Sequence, residues 1–373
     1  LRYMLSKFLP HLSSLGVALC VFLSLTVISL FSGFLDKLET SARGLFGEII
    51  IEAPGANGMP DYDAFIQSVT DAKTGVAEVA AAEPFIISYG MLRLKGDSTF
   101  RQYVQVAGIR LPGREKVSSF AEGLKVQRGV NAPTFNPTAK QTVAAIKAEQ
   151  KIMADAILKD VPQLTKLLTA KEREEIRKDP GMAVRLFLRK ELTLTAAQSR
   201  FREECYHAST LLLGARRRLA AQDRVLPMIA AAQKALDEAI ANKASVTEID
   251  DRRENLEDLQ DAYEVVPDEY SVIIGSEIPS LTFPSPSGEM IRRIGPGHQM
   301  TLYVFPAGRN PSKADFSPEI RMFKITDANE SGVFSIDKLF IYVPFETLQT
   351  LSYMDANPTS SVPTRARCSQ IHM

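Results

Sequence analysis

The stretch Leu12–Leu35 reads LSSLGVALCVFLSLTVISLFSGFL and holds no charged residue. A helix of that length spans roughly 36 Å, enough to cross a hydrocarbon core about 30 Å thick. Its polar members are Ser and Thr, whose hydroxyls bond back to the helix's own carbonyls. A cleaved signal core runs only about 7–15 apolar residues before a small-residue site. Here the run is longer and continues into the charged helical pattern Asp36-Lys37-Leu38-Glu39-Thr40. The reading is a retained transmembrane helix. Arg2 and Lys7 precede it, and basic flanks stay cytoplasmic, so the bulk of the chain is expected outside the cytoplasmic membrane. No later apolar run approaches the roughly 18 residues of a second crossing.

The rest of the chain is of ordinary globular composition. The whole chain's 44 basic and 44 acidic residues give a net charge of zero, which supplies no long-range pull toward nucleic acid. Cys20 lies inside the apolar run, and Cys205 and Cys368 are too few and too far apart for a disulfide framework. The histidines, at 11, 207, 298 and 372, are scattered, and no HExxH, CxxC, GxSxG, P-loop or dinucleotide fingerprint accompanies them. No catalytic, cofactor-binding or metal-binding residue is therefore assigned, and no enzymatic activity is expected. Gly295-Pro296-Gly297 reads as a tight turn before a strand. Arg216-Arg217-Arg218 reads as an exposed helical face.

Patterning divides the chain into four parts. Residues 1–47 are a cytoplasmic N-terminus, the transmembrane helix and a stalk. Residues 48–137 are mixed: a β run at Glu48–Glu52, a capped amphipathic helix from Asp61 to Val69, and strands at Phe85–Tyr89 and Arg101–Ile109, with Gly96-Asp97 as the turn between them. Residues 138–264 switch to helical periodicity, with Ile146, Met153, Ile157, Val161, Leu164 and Leu168 on one face. Capping boxes stand at Thr169/Glu172, Thr195/Gln198 and Ser245/Glu248, the last opening a helix with Ile249, Leu256, Leu259 and Tyr263 on one side. Breakers at Pro162, Pro180-Gly181 and Pro227 divide the region into four to six helices. Residues 265–373 return to strands: Tyr270–Gly275, Met300–Pro306, Arg321–Ile325 and Lys338–Val343, with a short helix at Glu346–Leu351. The expected fold is an α+β external domain interrupted by an all-helical insertion, its flanking strands closing on each other.

Several segments carry a family resemblance. Val27-Ile28-Ser29-Leu30-Phe31-Ser32-Gly33-Phe34 resembles the first transmembrane segment of lipoprotein-releasing, Lol-type permeases, which group with the MacB-like and FtsX-like permeases of ABC transporters. Pro84-Phe85-Ile86-Ile87 and Val104–Ile109 are similar to the family's early external strands. Val272–Ile278 resembles its recurring IIG-x-E-L strand, and Gly297–Val304 the step that follows. Phe323-Lys324-Ile325, Ser331–Phe334, Asp337 and Tyr342-Val343-Pro344 are similar to the segment that returns toward the membrane. Family members carry three further membrane helices after the external domain, so the chain looks like a fragment or a truncated reading frame. They also lack the helical stretch at 138–264, and no substrate-chaperone contact is carried over.

The resemblance implies a permease subunit of a bacterial inner-membrane ABC transporter. It implies a cytoplasmic ABC ATPase partner that hydrolyses ATP, and a second permease copy or paralogue beside this one. The transmembrane helix contacts membrane lipid and conveys motion to the external, periplasmic domain, which works on a lipoprotein or other extracytoplasmic cargo. The rival reading is a single-pass receptor or scaffold, with the helical insertion as its partner-binding module.

Overall fold

The computed structural model describes residues 2–53, 55, 58–71, 79–94, 101–262, 265–279, 281–306, 317–356 and 365–373, with side chains throughout except at 2–11, 37–45, 222–223 and 260–262. The Gly96-Asp97 turn and Tyr263 lie outside the described residues. The chain opens with α1 (Arg2–Phe46), 45 residues long. Its Leu12–Asp36 portion has a mean hydropathy of 2.4 and none of it is buried, which makes it a candidate membrane span. Next come β1 (Ile50–Glu52), β2 (Met59–Pro60), α2 (Tyr62–Thr70), β3 (Glu83–Leu94) and β4 (Gln102–Ile109). Six helices follow: α3 (Ala139–Asp160), α4 (Pro162–Leu167), α5 (Ala170–Lys178), α6 (Gly181–Arg189), α7 (Ala196–Ala241) and α8 (Val246–Ala262). Then come β5 (Ser271–Gly275), β6 (Thr282–Pro284), β7 (Met290–Arg292), β8 (Gln299–Phe305) and β9 (Glu319–Asn329). The chain closes with α9 (Phe334–Leu339), β10 (Phe340–Pro344), α10 (Phe345–Leu351), β11 (Arg367–Cys368) and β12 (Gln370–His372).

The fold mixes helix and sheet as expected, but the sheet curls into a barrel. Six strands run in the order β3-β4-β10-β5-β9-β8, and β8 pairs again with β3. The length of β3 allows this. Glu83–Phe85 pair with β12, Ile86–Leu92 with β4, and Tyr89–Leu94 with β8. Closure leaves no unpaired edge on the ring. Period-2 alternation points Ile86, Leu92, Val104, Val106, Leu302 and Val304 into a fully buried interior. β4 and β5, which flank the helical region, do not close on each other. β10 lies between them, parallel to β4 and antiparallel to β5.

The helices have their own core, built on Ile146, Met153, Ile157, Val161, Leu164, Leu168, Phe187, Phe201 and Leu212. Both sides of the capping boxes at Thr169/Glu172 and Thr195/Gln198 form, and a third starts α3 at Thr138/Gln141. At α8 only one half is made, Glu248 N donating to Ser245 Oγ at 3.2 Å. This core continues into β6 and β7 through Phe283 and Ile291. Arg293 pairs with Glu204, Arg292 with Glu149 at 3.8 Å, and Ser287 donates to Asp160.

Four local expectations differ. Pro227 does not break the helical region: it sits inside α7, exposed to solvent. It removes one helix hydrogen bond, while Val225, Leu236 and Ala239 on α7, like Leu256 on α8, are buried on either side of it. Lys338 and Leu339 end α9 rather than start a strand. Asp61 does not cap α2 with its side chain. It takes a left-handed conformation, φ 54°, makes no side-chain cap bond, and pairs its carboxylate with Arg365 instead. Glu48 and Ile49 precede β1 instead of belonging to it.

Candidate functional site: the joint between the apolar helix and the barrel

The last residue of α1, Phe46, enters an aromatic cluster on the barrel. Its ring meets Phe340 edge-on at 6.4 Å and His372 edge-on at 5.9 Å. His372 in turn stacks on Phe85, with centroids 4.4 Å apart and planes 21° from parallel. On the same Phe85 ring lies the guanidinium of Arg114, at 5.3 Å. Aromatic pairs of this kind contribute about 0.5–1.5 kcal/mol each beyond area burial. The cluster thus joins five separate segments of chain: the end of α1, the start of β3, the 114–116 helical turn, the start of β10 and β12.

The backbone reinforces the joint. Gly47 adopts φ +89°, and a Cβ there would stand 2.5 Å from Met373 O and 2.9 Å from Val117 Cγ1. Only glycine reaches that conformation at so close an approach. Past the turn, Glu48 N and Ile49 N both donate to Met373 O, at 2.7 and 3.2 Å, and Met373 N donates to Ile49 O at 2.9 Å. β1 then pairs antiparallel with β12, Ile50 opposite His372 and Glu52 opposite Gln370. β12 is itself hydrogen-bonded to β3 of the barrel. The chain leaving α1 is therefore held through a ladder rather than a free linker.

Burial sets the charge state of the joint. His372 is fully buried, and desolvation, then the nearby Arg114 charge, pushes its imidazole down to about 3. The ring is neutral, and with the proton on Nε2 it donates to Gln370 Oε1 at 2.9 Å. Burial lowers Arg114 to about 10 and raises Glu83, the neighbouring carboxyl. A second anchor stands at the end of β4. Arg110 pairs with Asp63 of α2 and Glu346 of α10, both at 2.9 Å, and lies over the Phe345 ring at 4.8 Å.

The arrangement ties the end of α1 to the barrel through ring contacts and a strand ladder. Among the described residues no cluster of His, Cys, Asp and Glu has a geometry for a metal ion. Of the four histidines, His372 belongs to the joint. His298 is buried in the Gly295-Pro296-Gly297 turn, its Nδ1 within 2.7 Å of Gly295 O, while His207 is exposed and the side chain of His11 lies outside the described ones. That turn does precede β8, and Gly297 also packs its Cα against α7, where a Cβ would meet Ala215 at 3.2 Å. Sequence reading missed the joint because its members lie far apart in the chain. The local signal was Phe46-Gly47 at the foot of a long helix. No known family model matches the chain, and no curated protein matches it.

Proposed function

We propose that this chain is a permease subunit of an ABC transporter of the lipoprotein-releasing or MacB-like type. In this reading α1 crosses the bacterial inner membrane with its N-terminus in the cytoplasm, and the barrel with its helical module lies in the periplasm. A separate cytoplasmic ATPase binds and hydrolyses ATP. A second permease copy or paralogue completes the assembly, and the external domain works on a lipoprotein or another extracytoplasmic cargo. The chain contributes no catalysis of its own.

The observation that carries the reading is the continuity of α1. It runs as one helix from Arg2 to Phe46, through the candidate span, and ends locked into the barrel. Internal hydrogen bonding makes such a helix a stiff rod, so movement at its membrane end reaches the barrel without loss in a hinge. β12 adds to this support, because it runs antiparallel to β1 and heads back toward the foot of α1.

The test is co-expression with candidate ABC ATPases, including any that is encoded beside this chain, followed by reconstitution in nanodiscs. ATP hydrolysis requires both proteins if the reading holds. Replacing Glu39 and Thr40 together by proline, at about 3 kcal/mol or more each, uncouples hydrolysis from external work. No stable association with any ATPase would favour the receptor or scaffold reading, for which the α7–α8 hairpin supplies the module.

A further inference from the structure

The helical module carries two oppositely charged surfaces that are not paired with each other within one copy. The first is a groove of about 570 Å³ between α3 and α7. Val143, Ala144, Leu219 and Ala220 form its apolar floor, and Lys140, Lys147 and Arg216 its rim. Arg216 feels the distant charge of Asp179, yet neither it nor the two lysines forms an ion pair among the described residues. The second surface is the outer face of α8. There Arg252 and Arg253 are taken up by Glu248 and Asp250. Asp251, Glu254, Glu257 and Asp258 remain exposed, without an ion pair among the described residues.

Both surfaces are fixed to one helix. Arg252 Nη1 donates to Ala235 O at 2.7 Å, which sets α8 against the far half of α7. From Ala220, at the groove, to Ala235 is roughly 22 Å along α7. α8 returns along α7 from that point, yet in this copy none of its exposed carboxylates pairs with Lys140, Lys147 or Arg216 among the described residues.

We propose that the basic groove receives α8 of a second copy of this chain. Two α7 helices lie antiparallel about a two-fold axis, and each copy gives its α8 and accepts its partner's. A two-fold contact is self-complementary in this way, and the opposite charges select register and partner. The axis falls midway between groove and acidic face. That part of α7 holds Leu226 and Met228, large apolar side chains each 47% exposed. The pairing makes specific the second-copy element of the permease reading, but it is tested without any ATPase, so the two fail separately.

The experiment is sedimentation velocity of the full chain in non-ionic detergent, at low and high salt. The acidic-face variant is E254K/E257K/D258K, and the groove variant is K140E/K147E/R216E. Circular dichroism verifies that each keeps its helix content. Each variant alone weakens self-association by more than about tenfold, roughly 1.4 kcal/mol, and high salt weakens the wild type. Mixing the two variants restores association, because reversed charges meet reversed charges. Dimers insensitive to salt and to both variants, a mixture that is not restored, or a monomeric wild type would each overturn the proposal. So would groove-dependent binding of phosphatidylglycerol vesicles to a chain that does not self-associate.

Discussion

Phe46, the last residue of α1, stands edge-on to His372 of β12, with ring centroids 5.9 Å apart and planes at 71°. These residues are more than three hundred positions apart in the sequence, and their contact fixes the end of the apolar helix against the barrel. The sheet ladder of β1 and β12 beside them adds backbone hydrogen bonds to the same joint.

Gly47→Ala tests the close approach behind Phe46. The new Cβ meets the Met373 carbonyl and Val117, and φ +89° disfavours any side chain. The expected loss exceeds about 1 kcal/mol. It is read as a lowered thermal midpoint, and as faster amide exchange at Glu48 and Ile49 than at the barrel interior.

Acid weakens the joint. His372 titrates near 3 when folded, against an ordinary histidine value of 6.5, so the unfolded chain binds the extra proton first. Stability is complete above about pH 6.5 and falls as pH drops from there toward 3, by up to about 1.4 kcal/mol per pH unit. His298, pushed down to about 4 by burial, adds a slope of the same sign. His372→Phe keeps a stacked ring and removes one of the two contributions. Urea unfolding across that pH range then shows a shallower dependence than the wild type. An unchanged dependence would show that His372 is not buried as described.

Asp327→Asn destabilises the loop leading into the helical region. Asp327 is fully buried and accepts four backbone N–H groups: Lys125 at 3.0 Å, Val126 at 2.8 Å, Gln127 at 3.1 Å and Ala328 at 2.7 Å. Burial raises its carboxyl, while these donors hold the charged form. An amide turns an N–H₂ toward one of the donors and loses the charge, at about 2–3 kcal/mol. Denaturant melts measure the loss, with exchange rising first at 125–127.

Much of the secondary structure was legible because it depends on local pattern. The apolar run before Asp36, the buried face from Ile146 to Leu168 and the capping boxes at Thr169 and Thr195 all appear where residue spacing places them. Barrel closure was not legible. Nothing local shows that Tyr89 pairs with Gln105 on one side and Phe305 on the other. Pro227 misled for a related reason: a proline costs one hydrogen bond, and long-range packing along α7 and α8 outweighs it. The joint escaped because Arg114, Phe85 and His372 each look unremarkable until tertiary structure gathers them.

Removing residues 138–264 behind a short linker uncovers Phe283 and Ile291, which share the buried core of the helices. The shortened chain is expected to aggregate, since a freshly exposed apolar patch drives association. Replacing both residues by serine and threonine restores a soluble barrel if the ring of β3, β4, β10, β5, β9 and β8 is self-sufficient. Light scattering and near-ultraviolet dichroism distinguish the outcomes. A folded, soluble product without those replacements would show that the helices contribute little to this face.

The most direct test of the permease account places a spin label at Tyr103, an exposed residue of β4, in the full chain reconstituted with the proposed partner ATPase. Pulsed electron resonance then measures the label-to-label distance between two copies, with and without ATP. The account predicts that ATP shifts this distance, and that proline at both Glu39 and Thr40 abolishes the shift while hydrolysis continues. A distance unaffected by nucleotide, or a shift that survives the broken helix, would contradict it.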